Sequence, residues 1–137
     1  MDPKDIARII DAQPPLARTL GIRIVSATPE EVIAEMPVTE AVGNRNGMLH
    51  GGAIMALADN TGGTATHLHL AEDEFTSTSE SKTNFFRPVD TGDTARAVCT
   101  LLHNGRLTKV WQTNIYRGDG KLAAQVTQTQ MILKKSR

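Results

Sequence analysis

Apolar positions along the chain change their spacing several times, and each change marks an element. Ile6, Ile9 and Ile10 recur at i, i+3 and i+4 behind Pro3, which predicts a short helix over residues 3–12. Pro14-Pro15 stops it, and residues 15–20 form a further helical turn closed by Gly21. Ile22-Arg23-Ile24-Val25 and Val32-Ile33-Ala34-Glu35-Met36 read as two strands joined at Thr28-Pro29-Glu30. Residues 39–50 form a loop containing Gly43, Asn44, Asn46 and Gly47. From Gly51 to about Leu70 the pattern is helical, because Ile54, Leu57, Ala58, Ala65 and Leu68 recur at intervals of three, four and seven. Four strand-like segments follow, at 75–86, 92–103, 107–117 and 121–133. Pro88 to Gly92, Asn104-Gly105 and Gly118-Asp119-Gly120 separate them, and Asn-Gly and Asp-Gly favour hairpin turns. The pattern therefore predicts a four-stranded meander after the long helix.

One apolar helix of about twenty residues must be covered, and an antiparallel sheet curled around it is the simplest cover. The fold class is α+β, with residues 1–137 as one domain and 1–20 as an N-terminal helical segment. Exposed sheet edges need protection, which edge-to-edge pairing of two chains supplies. Fifteen Lys+Arg balance fifteen Asp+Glu, so the chain lacks the basic excess of a nucleic-acid binder, and little charge repulsion opposes self-association. No apolar run reaches membrane-spanning length. The lone Cys99 excludes a disulfide scaffold and reads as a small core residue in a strand. The polar N-terminus is unlike a secretory signal, so a reducing cytoplasmic setting is expected.

The candidate chemistry starts where the long helix starts. His50-Gly51-Gly52 stands at the helix N-terminus, where backbone N–H groups are free and the dipole is positive. Glycine leaves these groups uncovered, the geometry of an oxyanion hole, although two glycines equally permit a tight turn into a helix. Asp59 is a poor mid-helix residue among apolar neighbours, and reads either as a solvated surface group or as a functional one. Gly62 and Gly63 each cost about 1 kcal/mol in a helix interior, which points to close approach of a ligand or of another backbone. His67 and His69 are two residues apart and face different ways on a helix, and no metal-ligand spacing occurs. Arg87, Arg106 and Lys109 sit at turns as ordinary surface charge or as phosphate ligands. Met48, Leu49, Ile54 and Phe75 are candidates for lining a pocket.

These residues resemble a known family. Asn44-x-x-Gly47-x-x-His50-Gly51-Gly52, with Asp59 nine residues after the His, resembles the hotdog-fold acyl-CoA thioesterases, and within them the PaaI-like, phenylacetate-degradation branch. The likeness continues through Asn84-Phe85-Phe86-Arg87-Pro88-Val89, Gly92-Asp93, His103-Asn104-Gly105-Arg106 and the Gly120 turn, over roughly residues 20–133. It implies a sheet wrapped round one helix, homodimers often paired into tetramers, and active sites at the dimer interface. It also implies hydrolysis of an acyl-CoA without metal or cofactor. Carried over by position, Gly51 N–H would polarise the thioester carbonyl. Asp59 of the other subunit would act as general base or nucleophile. Asn44 would orient water or carbonyl, His50 would fix the loop near the sulfur, and Thr78 would lie near the reacting centre. Gly52, Phe85, Phe86, Arg87 and Pro88, with His103, Asn104, Gly105 and Arg106, would bind the substrate and its CoA arm. Two other functions remain open at this point, a hotdog hydratase or dehydratase using His50 and Asp59, and a non-catalytic acyl-CoA-binding module.

Overall fold

The computed structural model describes residues 2–136. Helix α1 (Pro3–Asp11) starts on Asp2, whose side chain accepts from Lys4 N at 2.8 Å. Its Ile6, Ile9 and Ile10 pack half-buried against the core. Helix α2 (Pro15–Leu20) ends on Gly21 at φ 77, a left-handed conformation that closes helices and favours glycine. Strands β1 (Arg23–Ala27) and β2 (Glu31–Pro37) form the first hairpin. The loop beyond contains one 3-10 turn, Glu40–Val42, and leads into helix α3 (Gly51–His67). Strands β3 (Glu74–Phe85), β4 (Thr94–Asn104), β5 (Thr108–Tyr116) and β6 (Leu122–Lys134) complete the chain.

The six strands make one antiparallel sheet in the order β1-β2-β4-β5-β6-β3, curled round α3 as expected. The four-stranded meander is corrected. Strands β4, β5 and β6 are consecutive neighbours, but β3 pairs with β6 at the far edge and β4 pairs with β2. The reason is α3 itself, which carries the chain from β2 across the sheet before β3 begins. The Phe86–Asp93 connection then returns it.

Helix α3 also ends earlier than its pattern predicts. The N–H groups of Leu68, His69 and Leu70 bond to carbonyls three residues back, at 3.3, 2.8 and 3.3 Å. These tighter bonds wind down the last turn. His69 Nε2 lies 2.7 Å from Pro29 O, so this imidazole anchors the β1–β2 turn, and its ring meets Trp111 edge-on at 5.8 Å. Trp111 is fully buried and donates to Thr66 Oγ1 at 2.9 Å. Cys99 is in the core, where burial pushes its thiol up to about 12.

Gly62 has a packing explanation. A Cβ there would lie 2.5 Å from the amide group of Gln128, a buried β6 residue, so the absence of a side chain at position 62 leaves room for that amide between helix and sheet. Gly63 has none of this kind, since a Cβ there would meet nothing within 4 Å.

Candidate active site

Two clusters lie along α3. The first surrounds its N-terminus. Asn44 Oδ1 accepts from Asn46 N at 2.8 Å and Met48 N at 3.1 Å, fixing the loop before the helix. His50 caps the helix, with Nδ1 accepting from Gly52 N at 2.8 Å. Because Nδ1 is the acceptor, the neutral ring carries its proton on Nε2, which remains a donor. The capping bond commits the Gly52 N–H. Ala53 and Ile54 donate to His50 O at 2.9 and 3.1 Å. The Gly51 N–H is the first-turn donor with no acceptor among the described residues. Phe85 lies over Gly51, its ring 3.4 Å from where a Cβ would stand. Met48, Leu49, Ile54, Phe85, Phe86 and Pro88 help to line a shallow cavity of about 290 Å³ here. Phe75, expected among them, sits at the opposite end of β3.

The second cluster surrounds Asp59. This exposed carboxylate is held through Oδ1, which accepts from Thr78 Oγ1 at 2.7 Å. Thr78 lies beside a β-bulge, where the β3–β6 register shifts between Thr78 and Glu80. Bulges re-aim side chains in this way. Behind Thr78 stands Gln130, whose Nε2 donates to Thr78 Oγ1 at 2.6 Å, and the Thr76 hydroxyl lies 2.9 Å from both Gln130 Oε1 and Met131 O. A cavity of about 410 Å³ opens beside Asp59 under α1, with Ile9, Gln13, Gly63 and Thr78 in its wall. Gln13, just beyond α1, ties it to α3 by donating to Ile9 O at 3.1 Å and Thr64 Oγ1 at 3.3 Å and accepting from Asn60 Nδ2 at 2.8 Å.

Gln130, Thr76 and the Gln13–Asn60–Thr64 contacts escaped the sequence reading. A signal for Gln130 was present. Ala124, Val126, Gln128, Gln130 and Ile132 alternate on the buried face of β6, and two glutamines interrupt a run that should be apolar.

One chain does not bring all the expected residues together. Gly51 and Asp59 are eight residues apart on one helix, a rise of about 12 Å. Phe85–Pro88 and His103–Arg106 are separated further. Phe85 pairs with Ala124, near the start of β6, whereas the β4–β5 turn adjoins Met131, near its end. The eleven residues of β4 span about 33 Å between those two ends. Arg87 donates to Leu122 O at 2.7 Å, Lys109 Nζ to Asn104 Oδ1 at 2.6 Å, and Arg106 is exposed. His50 and Asp59 do not form a pair within the chain. Among the described residues, no group of three His, Cys, Asp or Glu side chains could hold a metal ion, and no helix is long and apolar enough to cross a membrane.

Comparison with known proteins agrees with this architecture. Residues 46–124 match the family described as the Thioesterase superfamily. The proofreading thioesterase EntH of Cronobacter turicensis is 33% identical over 106 residues, covering 77% of each chain. A Haemophilus influenzae thioesterase structure superposes with a TM-score of 0.88 at 28% identity, covering 96% of this chain and 92% of the other. The PaaI protein from the phenylacetic acid degradation operon of E. coli superposes with a TM-score of 0.86 at 25% identity, covering 97% and 94%. The chain belongs to the thioesterase superfamily, as a PaaI-like hotdog-fold enzyme that hydrolyses thioesters.

Proposed function

We propose that the substrate is an acyl-CoA and that each active site is shared between two copies of the chain. The observation that carries this reading is the split of the chemistry along α3. The uncommitted Gly51 N–H and the Thr78-held Asp59 carboxylate are about 12 Å apart, too far for both to touch one thioester group. A second copy closes the gap. Strand β3 is a twelve-residue edge, and Phe85 and Phe86 beside it are 53% and 54% exposed. Antiparallel pairing of two β3 edges about a two-fold axis near Glu80 sets Phe85 of one strand opposite Phe75 of the other. The helix start of one chain, which lies under its own Phe85, then approaches Asp59 of its partner. The same operation brings Phe85–Pro88 of one chain toward the His103–Arg106 turn of the other, so that both can contact a CoA arm.

At that site the thioester oxygen accepts from Gly51 N–H, with the Nε2–H of His50 as a second donor. Asp59 Oδ2 takes a proton from water as the water oxygen bonds to the carbonyl carbon. The C=O pair moves onto oxygen and is held by those donors. When the pair returns, the C–S bond breaks, CoA leaves as thiolate and takes up the proton, and the free acid remains. Direct attack by Asp59 gives a mixed anhydride that water then opens, with the same net balance. The acyl group extends into the cavity under α1.

Two variants test the sharing. Asp59→Asn removes the base and lowers kcat by about 10²–10⁴-fold. Gly51→Pro removes one N–H at the first helical position, where proline is accepted, and lowers kcat by about 10²–10³-fold. Subunits of the two dead variants, exchanged to equilibrium, form heterodimers containing one intact site. The mixture recovers about a quarter of wild-type activity, the statistical share of intact sites. A mixture that stays inactive after demonstrated exchange overturns the shared site, and a fully active Asp59→Asn overturns the base.

A further inference from the structure

We propose that Gln130 is a positioning residue for the reaction. Through Thr78 it fixes the direction of the hydrogen bond that holds Asp59, an inference that rests on Asp59 as the catalytic carboxylate. Gln130 is 1% exposed on the inner face of β6, where a side-chain amide is costly unless both its ends are bonded. Both ends are bonded. Nε2 donates to Thr78 Oγ1 at 2.6 Å, and Oε1 lies 2.9 Å from the Thr76 hydroxyl, which shares its one proton between Oε1 and Met131 O at the same distance.

A threonine hydroxyl carries a single proton. With a Gln130 N–H already directed at Thr78 Oγ1, the Thr78 proton is left to point away from Gln130, and Asp59 Oδ1 lies 2.7 Å from it. The sequence Gln130, Thr78, Asp59 therefore runs one way, each group donating to the next. Reversing the amide would turn its oxygen on Thr78 and draw that proton away from Asp59, leaving the carboxylate without its donor. Asp59 is exposed on a helix face, and this is the one side-chain hydrogen bond holding it among the described residues. It ties down Oδ1 and presents Oδ2 to the water. Gln130 touches neither water nor substrate in this scheme. Its effect is on how much of the time the carboxylate is aimed, which belongs to kcat rather than to KM.

The test uses the intact protein and whichever of phenylacetyl-CoA, benzoyl-CoA and hexanoyl-CoA the wild type turns over fastest. Gln130→Met, of similar length and without the donor, lowers kcat about tenfold with KM within twofold, a change equivalent to ~1.4 kcal/mol. Thr78→Val lowers kcat by at least as much. Adding Gln130→Met to Thr78→Val costs less than about twofold more, because the group through which Gln130 acts has gone. Gln130→Glu preserves the shape but offers an acceptor to the Thr78 proton, so kcat falls, read well below the melting temperature because a carboxylate buried there also lowers stability. The proposal is overturned by Gln130→Met and Gln130→Glu enzymes with kcat within twofold of wild type. It is also overturned by losses that multiply with Thr78→Val, or by a change confined to KM. Asp59→Asn run in parallel separates the two failures. If it too retains kcat, the catalytic carboxylate is wrong; if it alone is inactive, the positioning role is wrong.

Discussion

Gly62 and Gly63 offer a matched comparison in which one substitution acts twice on adjacent positions of one helix. Replacing glycine by alanine in a helix interior is worth about 1 kcal/mol from propensity and unfolded-chain entropy, and that gain is common to both sites. At Gly63 the new methyl meets nothing within 4 Å, so the gain is realised and stability rises by about 0.5–1 kcal/mol. At Gly62 the methyl would lie 2.5 Å from Cδ and Nε2 of Gln128, against an ordinary contact of about 3.5–4 Å. The amide must move by about 1 Å, and although no hydrogen bond holds it, it is 1% exposed, so packing alone resists the move. Overpacking of this kind costs about 1–3 kcal/mol, which cancels or exceeds the propensity gain. Gly63→Ala should therefore be the more stable variant by about 1–3 kcal/mol, read as a difference in urea midpoint at unchanged slope. Protein concentration must be held equal, because self-association couples to stability. The two variants melting together, or Gly62→Ala proving the more stable, would refute the close-approach account of Gly62. The same Gly63→Ala enzyme narrows the cavity beside Asp59, so its kcat/KM should fall most for the bulkiest acyl group of a substrate panel.

Two further predictions follow from side chains outside that helix. The Cys99 thiol, pushed up to about 12 by burial, stays protonated at pH 8, so a chromogenic disulfide reagent should find no reactive thiol in the native protein and one per chain in guanidinium; rapid native labelling would contradict its place in the core. Arg106→Ala should raise KM for an acyl-CoA at low salt with kcat unchanged, and should have little effect on an N-acetylcysteamine thioester that lacks the phosphates; an unchanged KM removes Arg106 from the CoA site.

What the sequence determined by itself is local. The 3.6-residue spacing of Ile54, Leu57, Ala58 and Ala65 defines α3, the period-two runs define the strands, and Gly21 and the Gly118-Asp119-Gly120 turn mark their stops, because each signal depends on neighbours within a few residues. The helix-start motif is legible for the same reason, since a cap needs only His50 and the two residues after it. Tertiary structure decided the rest. Nothing local tells β3 to cross to the edge beside β6, a choice made by where α3 lands on the sheet. The bond from Gln130 to Thr78 joins positions 52 residues apart, and Gly62 takes its meaning from Gln128 on another element. The distance between Gly51 and Asp59 is set by helical rise, but its consequence for the site depends on what stands across from each of them. Local periodicity fixes which face of an element is apolar; the partner of that face is chosen by packing, whose contacts the order of residues along the chain does not encode one by one.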